Sequence, residues 1–251
     1  MANTSSGDFA GQTALVTGAA RGLGRAISTL LAQRGARVFM VDLDGAGVEA
    51  AANELSKSGF DAIAAQADVA DEAQLGRVKD MVVARGGRLD VLVNNAGGWR
   101  YGTLDEITLE DWDWTFRVNL TTVFLTTRTF KDLMIARRYG RIVNVASTDG
   151  YRPKPKLPHY AAAKAAVVSL TKTMAEELGP HEVLVNGVSP GAIATETAKA
   201  QGWLKERIPF IPVRRVAEPG DIAEVILYLA SPRNRFVVGE TVMVNGGMLM
   251  V

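Results

Sequence analysis

Two rhythms of apolar and polar positions alternate along the chain. Short runs that are apolar at successive positions, such as Val38-Phe39-Met40-Val41 and Val91-Leu92-Val93, predict strands buried on both faces. Between them, apolar residues recur at helical spacing, as in Leu23, Ile27, Leu30 and Leu31. The pattern predicts strands over 13–17, 37–42, 62–67, 89–94, 141–146, 183–189 and 241–244. It predicts helices over 22–34, 46–57, 72–85, 109–137, 158–178 and 219–229. Gly35, Gly59, the Gly86-Gly87 pair and Gly179-Pro180 stand where four of these helices stop. Strands alternating with helices imply parallel pairing through right-handed crossovers. The expected fold class is α/β, a doubly wound parallel sheet of about seven strands with helices on both faces. In such a sheet, ligands bind at the carboxyl ends of the strands.

The loops at those ends carry the candidate chemistry. After the first strand comes Thr17-Gly18-Ala19-Ala20-Arg21-Gly22-Leu23-Gly24. Glycines at this spacing permit a tight turn and close approach of backbone to a pyrophosphate at the start of a helix. Packing alone also uses such turns. The second strand ends in Asp42, followed by Leu43, eighteen residues past Gly24. A carboxylate there accepts both ribose hydroxyls of NAD and repels a 2′-phosphate. It could instead cap the next helix, a role Asp44 could also fill. Arg21 argues the other way, since a basic side chain in the glycine loop meets a 2′-phosphate. The reading is NAD, with NADP less favoured.

Asp68-Val69 closes the third strand, placed either to meet an adenine amino group or to cap a helix. Asn94-Asn95-Ala96-Gly97 closes the fourth; small residues let the chain pass beneath a cofactor, and Asn side chains tie strand ends together. Asn119 falls inside the long helix predicted over 109–137, where Asn is a poor choice. The fifth strand ends at Ser147, thirteen residues before Tyr160-x-x-x-Lys164. On a helix, Tyr160 and Lys164 share a face, and a neighbouring ammonium favours the phenolate. A phenol that exchanges its proton near neutral pH is a general acid/base. A lone Tyr-x-x-x-Lys could equally be a solvated surface pair. The sixth strand ends in Ser189-Pro190-Gly191-Ala192-Ile193-Ala194-Thr195, a rigid turn whose Thr could bond a carboxamide.

Composition narrows the picture. The chain has 251 residues, no low-complexity block and no repeat, so residues 11–251 read as one domain after a disordered lead-in over 1–10. Met1 to Gly11 lacks a basic-then-apolar leader pattern. A net charge of +1 with interspersed charges offers no nucleic-acid stripe, and no apolar run is long enough to span a bilayer. With no cysteine and two histidines, His159 and His181, no metal site is expected. A cytoplasmic protein is the expectation.

Taken together, these motifs resemble the classical short-chain dehydrogenase/reductase family. The matches are Thr17-Gly-x-x-x-Gly-x-Gly24, Asp68, Asn94-Asn-Ala-Gly97, Asn119, Ser147, Tyr160-x-x-x-Lys164, Pro190-Gly191, Thr195 and Gly239-x-x-x-x-Val-Asn-Gly-Gly247. They run in order from residue 10 to the C-terminus. The resemblance implies a Rossmann-type fold and a catalytic set of Asn119, Ser147, Tyr160 and Lys164. Tyr160 would be the general acid/base, Lys164 would lower its pKa and bond the nicotinamide ribose, Ser147 would hold the substrate oxygen, and Asn119 would anchor a water. Thr195 and the backbone of Ile193 would orient the nicotinamide amide. A homotetramer built through the two long helices, with a second contact near the apolar end Gly246–Val251, is also implied.

The implied activity is NAD-dependent interconversion of a secondary alcohol and a ketone, small and hydrophobic, aryl, alicyclic or carboxylated. Segments 98–102, 148–158 and 195–212 would cover the substrate, through Trp99, Tyr101, Asp149, Tyr151, His159 and Trp203. Arg100 or Arg152 could steer a carboxylate, although these cations could also form a solvated rim. His159 is expected nearer the surface. Acyl-carrier-protein ketoreductases that use NADPH share Thr-Gly-Ala-x-Arg-Gly and Tyr-Ala-Ala-Ala-Lys with this chain. Asp42 and Glu176-Glu177 weigh against that role, while Arg128, Arg137 and Arg138 leave it open. A non-catalytic dinucleotide-binding regulator is the alternative from another class, and epimerisation or dehydration on the same scaffold is a third.

Overall fold

Strands β1 (Thr13–Thr17), β2 (Arg37–Asp42), β3 (Ala62–Gln66), β4 (Val91–Asn94), β5 (Gly140–Val145), β6 (Val183–Pro190) and β7 (Thr241–Val244) form one parallel sheet. Their order is β3-β2-β1-β4-β5-β6-β7 in the computed structural model, which describes residues 7–251. The chain walks outward from β1 to β3, then returns to lay β4 against the other side of β1. The crevice between β1 and β4 is the switch point of the sheet.

Helices α1 (Gly22–Gln33), α2 (Gly45–Lys57) and α9 (Pro219–Ala230) cover one face, and α3 (Glu72–Ala84), α5 (Thr122–Ile135) and α6 (Pro158–Leu178) cover the other. Alternation along β1 shows why both faces must be apolar. Ala14 and Val16 pack with Ile27, Leu31, Val48 and Ile226, whereas Leu15 packs with Phe39, Leu75, Phe130 and Met134 on the opposite side. Local signals set the helix starts. Asp44 caps α2 through Gly47 N, Asp71 caps α3 through Gln74 N, and Thr108 and Asp111 form a capping box at α4 (Leu109–Phe116).

The strand limits match expectation to within one or two residues. Three features do not. The helix expected over 109–137 is interrupted by a π turn at Arg117–Thr121, where Thr122 N reaches back to Arg117 O. One extra residue in a turn leaves the apolar spacing almost unchanged, so periodicity cannot register it. Two short helices, α7 (Glu196–Ala200) and α8 (Leu204–Arg207), stand where no element is predicted. The disordered lead-in expected over 1–10 lies for residues 1–6 outside the described residues, and residues 7–10 correct it. Phe9 is fully buried in the α1 core, and its N–H donates to Arg34 O at 3.1 Å. Among the described residues no helix is long and apolar enough to cross a membrane.

Candidate active site

At the switch point, backbone and side chains sew the ends of β1 and β4 together. Thr17 Oγ1 accepts from the N–H groups of Asn95 and Ala96, both at 3.0 Å. Asn95 Nδ2 donates to Thr17 O at 2.9 Å and Gly18 O at 3.1 Å. Gly18 has φ +65°, and a Cβ there would fall 2.9 Å from Asn95 Nδ2 and 3.0 Å from Ala96 Cα. Only glycine fits that approach. A Cβ on Gly22 would meet Thr195 Cγ2 at 3.4 Å, so the glycine turn faces the loop after β6 across the crevice. Arg21 supplies no side-chain cap to α1, which leaves the first N–H groups of that helix for a ligand. The trough therefore fits a dinucleotide pyrophosphate.

Asp42 borders this trough. Its Oδ2 accepts from Ala20 N at 2.9 Å and its Oδ1 from Asp44 N at 3.0 Å. Because Asp44 caps α2, Asp42 is not needed there, and each of its oxygens retains acceptor capacity for a ribose hydroxyl. Leu43 and Arg21 are exposed beside it. Asp68 accepts one bond on each oxygen as well and does not cap α3. Arg117 Nη2 donates to its Oδ2 at 2.7 Å and Ala70 N to its Oδ1 at 2.8 Å, while the cap of α3 is Asp71. Val69 is buried in the core.

The second cluster stands at the ends of β4, β5 and β6. Asn94 Nδ2 donates to Asn144 Oδ1 at 2.9 Å, tying β4 to β5, as the Asn-Asn pair suggests. Asn119 sits in the π turn with no exposed surface. Its Nδ2 donates to Gly98 O at 2.8 Å and Thr115 O at 2.9 Å, and its Oδ1 accepts from Gly98 N at 3.3 Å. A Cβ on Gly97 would fall 2.7 Å from Asn119 Oδ1 and 3.5 Å from Lys164 Nζ, so the three groups meet. The Asn119 side chain is thus committed to holding the chain after β4.

Tyr160 and Lys164 lie one turn apart on α6, with the ammonium 5.7 Å from the centre of the phenol ring. Lys164 Nζ donates to Val145 O at 2.8 Å and is 4 % exposed. Burial brings its pKa down from 10.5 to about 8. Burial likewise raises the Tyr160 phenol, with the Ser147 hydroxyl acting against the rise and Asp149 and Tyr101 adding to it. In this state burial works against any lowering of the phenol by Lys164. Ser147 Oγ accepts from Asp149 N at 3.1 Å, which leaves its own O–H free to donate.

On the substrate side, Trp99 stands edge-on to Tyr160 with ring centres 6.3 Å apart, and Tyr101 is exposed nearby. Arg100 pairs with Asp111 at 2.8 Å and lies over the Trp114 ring at 4.3 Å. A cavity of about 60 Å³ opens beside Ser147, walled by Asp149, Trp203, Gly191 and Ala192 together with Arg152 and Lys154. Arg207 and Met248 complete it, neither of them singled out by sequence reasoning. Arg207 ends α8, inside the segment 195–212 expected over the substrate, and Met248 lies in the chain end expected at a subunit contact. A larger cavity of about 200 Å³, around Ile211, Val213 and Val244, shares only Ala192 with it. Tyr151 is half-buried just after the 148–150 turn. His159 corrects two expectations. It has no exposed surface, so it is neither at the surface nor open to a substrate, because the first turn of α6 packs under α4. Thr195 caps α7 through Ala198 N at 3.3 Å, Ile193 pairs with Ala217, and Pro190 ends β6.

A glycine cradle at the switch point of a doubly wound sheet, facing a serine, a tyrosine and a buried lysine, defines an oxidoreductase that works with a nicotinamide dinucleotide. Known proteins narrow the class. A family model described as enoyl-(acyl carrier protein) reductase matches residues 18–249. A 3-oxoacyl-[acyl-carrier-protein] reductase of Synechocystis is 39% identical over 241 residues, 95% of this chain and 97% of that protein. One from Thermotoga maritima is 38% identical, covering 96% and 98%. Among solved structures, a 3-oxoacyl-[acyl-carrier protein] reductase with bound NAD from Brucella melitensis superimposes with a TM-score of 0.90 at 34% identity, covering 98% and 94%. A putative gluconate dehydrogenase from Agrobacterium tumefaciens gives a TM-score of 0.93 at 32% identity, covering 97% and 98%. The chain belongs to the short-chain dehydrogenase/reductase family.

Proposed function

We propose that the protein reduces the ketone of a 3-oxoacyl compound to the corresponding 3-hydroxyacyl compound. The observation that carries this reading is the convergence of Ser147, Tyr160 and Lys164 opposite the glycine cradle. The 3-oxoacyl group is supported by the names of relatives that match nearly the whole chain. It takes precedence over the broader aryl or alicyclic alcohol. When bound, the dinucleotide supplies the hydride. Ser147 donates its hydroxyl proton in a hydrogen bond to the substrate carbonyl oxygen and stabilises charge developing there. Tyr160, whose phenol burial keeps protonated, gives its proton to that oxygen. Lys164 keeps positive charge beside the phenol as the proton leaves, and Asn119 holds the floor at Gly98. For the cofactor, Asp42 favours NAD(H), because its carboxylate is fixed by two N–H groups at the edge of the trough. Exposed Trp112 and Phe124, with Met250 and Val251 at the chain end, support a homotetramer.

The test is oxidation of NADH and of NADPH with a short 3-oxoacyl thioester and with simple ketones. Tyr160→Phe should lower turnover at least ~100-fold with dinucleotide binding retained. Activity that survives this change would remove the assignment.

A further inference from the structure

The cavity beside Ser147 holds more positive charge than its one carboxylate offsets, and the steps above use none of it. Asp149, whose side chain is 12 % exposed, accepts from Arg152 Nε and Nη2 at 3.3 Å and pairs with Lys154 Nζ at 3.0 Å. The Arg152 and Lys154 side chains are 28 % and 20 % exposed, so they are drawn inward and do not form a solvated rim. Arg207 lines the same cavity and pairs with no carboxylate among the described residues. Three cations thus face a single carboxylate in a partly dry cleft, where charge acts through a lower dielectric than in water. The space is about 60 Å³. That is well below the roughly 300 Å³ that encloses a larger ligand, and it suits a carboxylate-sized group.

We propose that this cavity is an anion subsite, and that the preferred substrate is a small 3-oxo acid bearing a free carboxylate. The inference rests on the ketoreductase reading above. The carboxylate docks against Lys154, Arg152 and Arg207, while the ketone oxygen meets Ser147 and Tyr160. The ketone carbon accepts a hydride from the reduced nicotinamide, the carbonyl π pair moves to oxygen, and that oxygen takes the Tyr160 proton. The carboxylate is unchanged, and the product is a 3-hydroxy acid. A thioester presents a neutral sulfur at the same position and leaves the surplus cations unpaired, which costs binding.

Paired substrates test this: 3-oxobutanoate and its methyl ester, at low ionic strength, with NADH and NADPH, on the wild type, Lys154→Met and Arg207→Met. In either variant Asp149 keeps at least one cation, so the loop retains its support. The acid should exceed the ester in kcat/KM by ~10-fold or more, and each variant should reduce that preference ~10-fold, mainly through KM, with the ester unaffected. Equal or better use of the ester by the wild type overturns the subsite and leaves the ketoreductase reading standing, as does a preference that persists in both variants. If neither compound nor any thioester is reduced, the ketoreductase reading fails instead. Calorimetric titration with malonate then judges the subsite alone: binding that weakens ~10-fold in Lys154→Met upholds it, and no binding to the wild type overturns it.

Discussion

Lys164 is charged, buried and without a carboxylate partner among the described residues, so the folded protein should gain stability from its removal. Its pKa in the folded chain is about 8 against 10.5 for the free side chain. At 1.36 kcal/mol per pH unit, that difference holds about 3 kcal/mol against the folded state wherever the amine is charged in both states. Lys164→Met keeps a similar length of flexible chain and removes this cost. It also removes the hydrogen bond to Val145 O, worth about 1 kcal/mol. The net expectation near pH 7 is about 2 kcal/mol of added stability, or about 4–8 °C in Tm for a chain of this size. The sign depends on pH. Between about 8 and 10.5 the unfolded chain holds a proton that the folded chain has released, so wild-type stability rises with pH across that window. The advantage of the variant should shrink there and vanish or slightly reverse by about pH 10.5. Denaturant melts of the dinucleotide-free proteins at both ends of the window measure it, and shared titrations cancel in the difference. A variant that is less stable at pH 7, or whose advantage is the same at both pH values, would refute the argument. Turnover should be lost in either case, since the stability cost of this lysine lies in the group proposed to act beside Tyr160.

Two further changes probe the cofactor edge and the buried histidine. Asp42→Asn retains an acceptor for Ala20 N–H but removes the charge, so the ratio of NADPH to NADH affinity should rise about 10-fold. A wild type that already binds NADPH more tightly would sink the cofactor reading. His159 is fully buried with no partner for either ring nitrogen, so His159→Leu should match or exceed wild-type stability near neutral pH, by about 1 kcal/mol at most. Burial lowers its pKa below 6.5, so on acidification the unfolded chain takes up the proton first and the wild type loses stability. Acid denaturation curves should show the advantage of the leucine variant growing below pH 6.5, and parallel curves would contradict it.

Much of the site was legible because its residues stand at strand ends, and the ends follow from local pattern. Gly18, Asp42, Asn95 and Ser147 each close an apolar run, and Tyr160 and Lys164 share one helix face. Spacing alone placed them at one edge of the sheet. Legibility failed where the outcome depends on what lies across from a residue. The partner of Asp68 is Arg117, forty-nine positions away, and those of Arg100 are Asp111 and Trp114. Short helices such as α7 and α8 complete too few turns to leave a period.

By itself, the amino-acid sequence determined the alternation of elements, the parallel sheet and the set of polar groups delivered to its carboxyl edge. These follow from steric and hydrophobic periodicities that each segment carries on its own. Tertiary structure alone decided that Phe9 is core, that Asn119 clamps Gly98 from a π turn, and that Arg207 and Met248 close a cavity begun by Ser147. It also decided that Tyr160 and Lys164 lose solvent, which raises the phenol and lowers the ammonium. Desolvation and long-range contact are properties of the packed whole, so no local pattern encodes them.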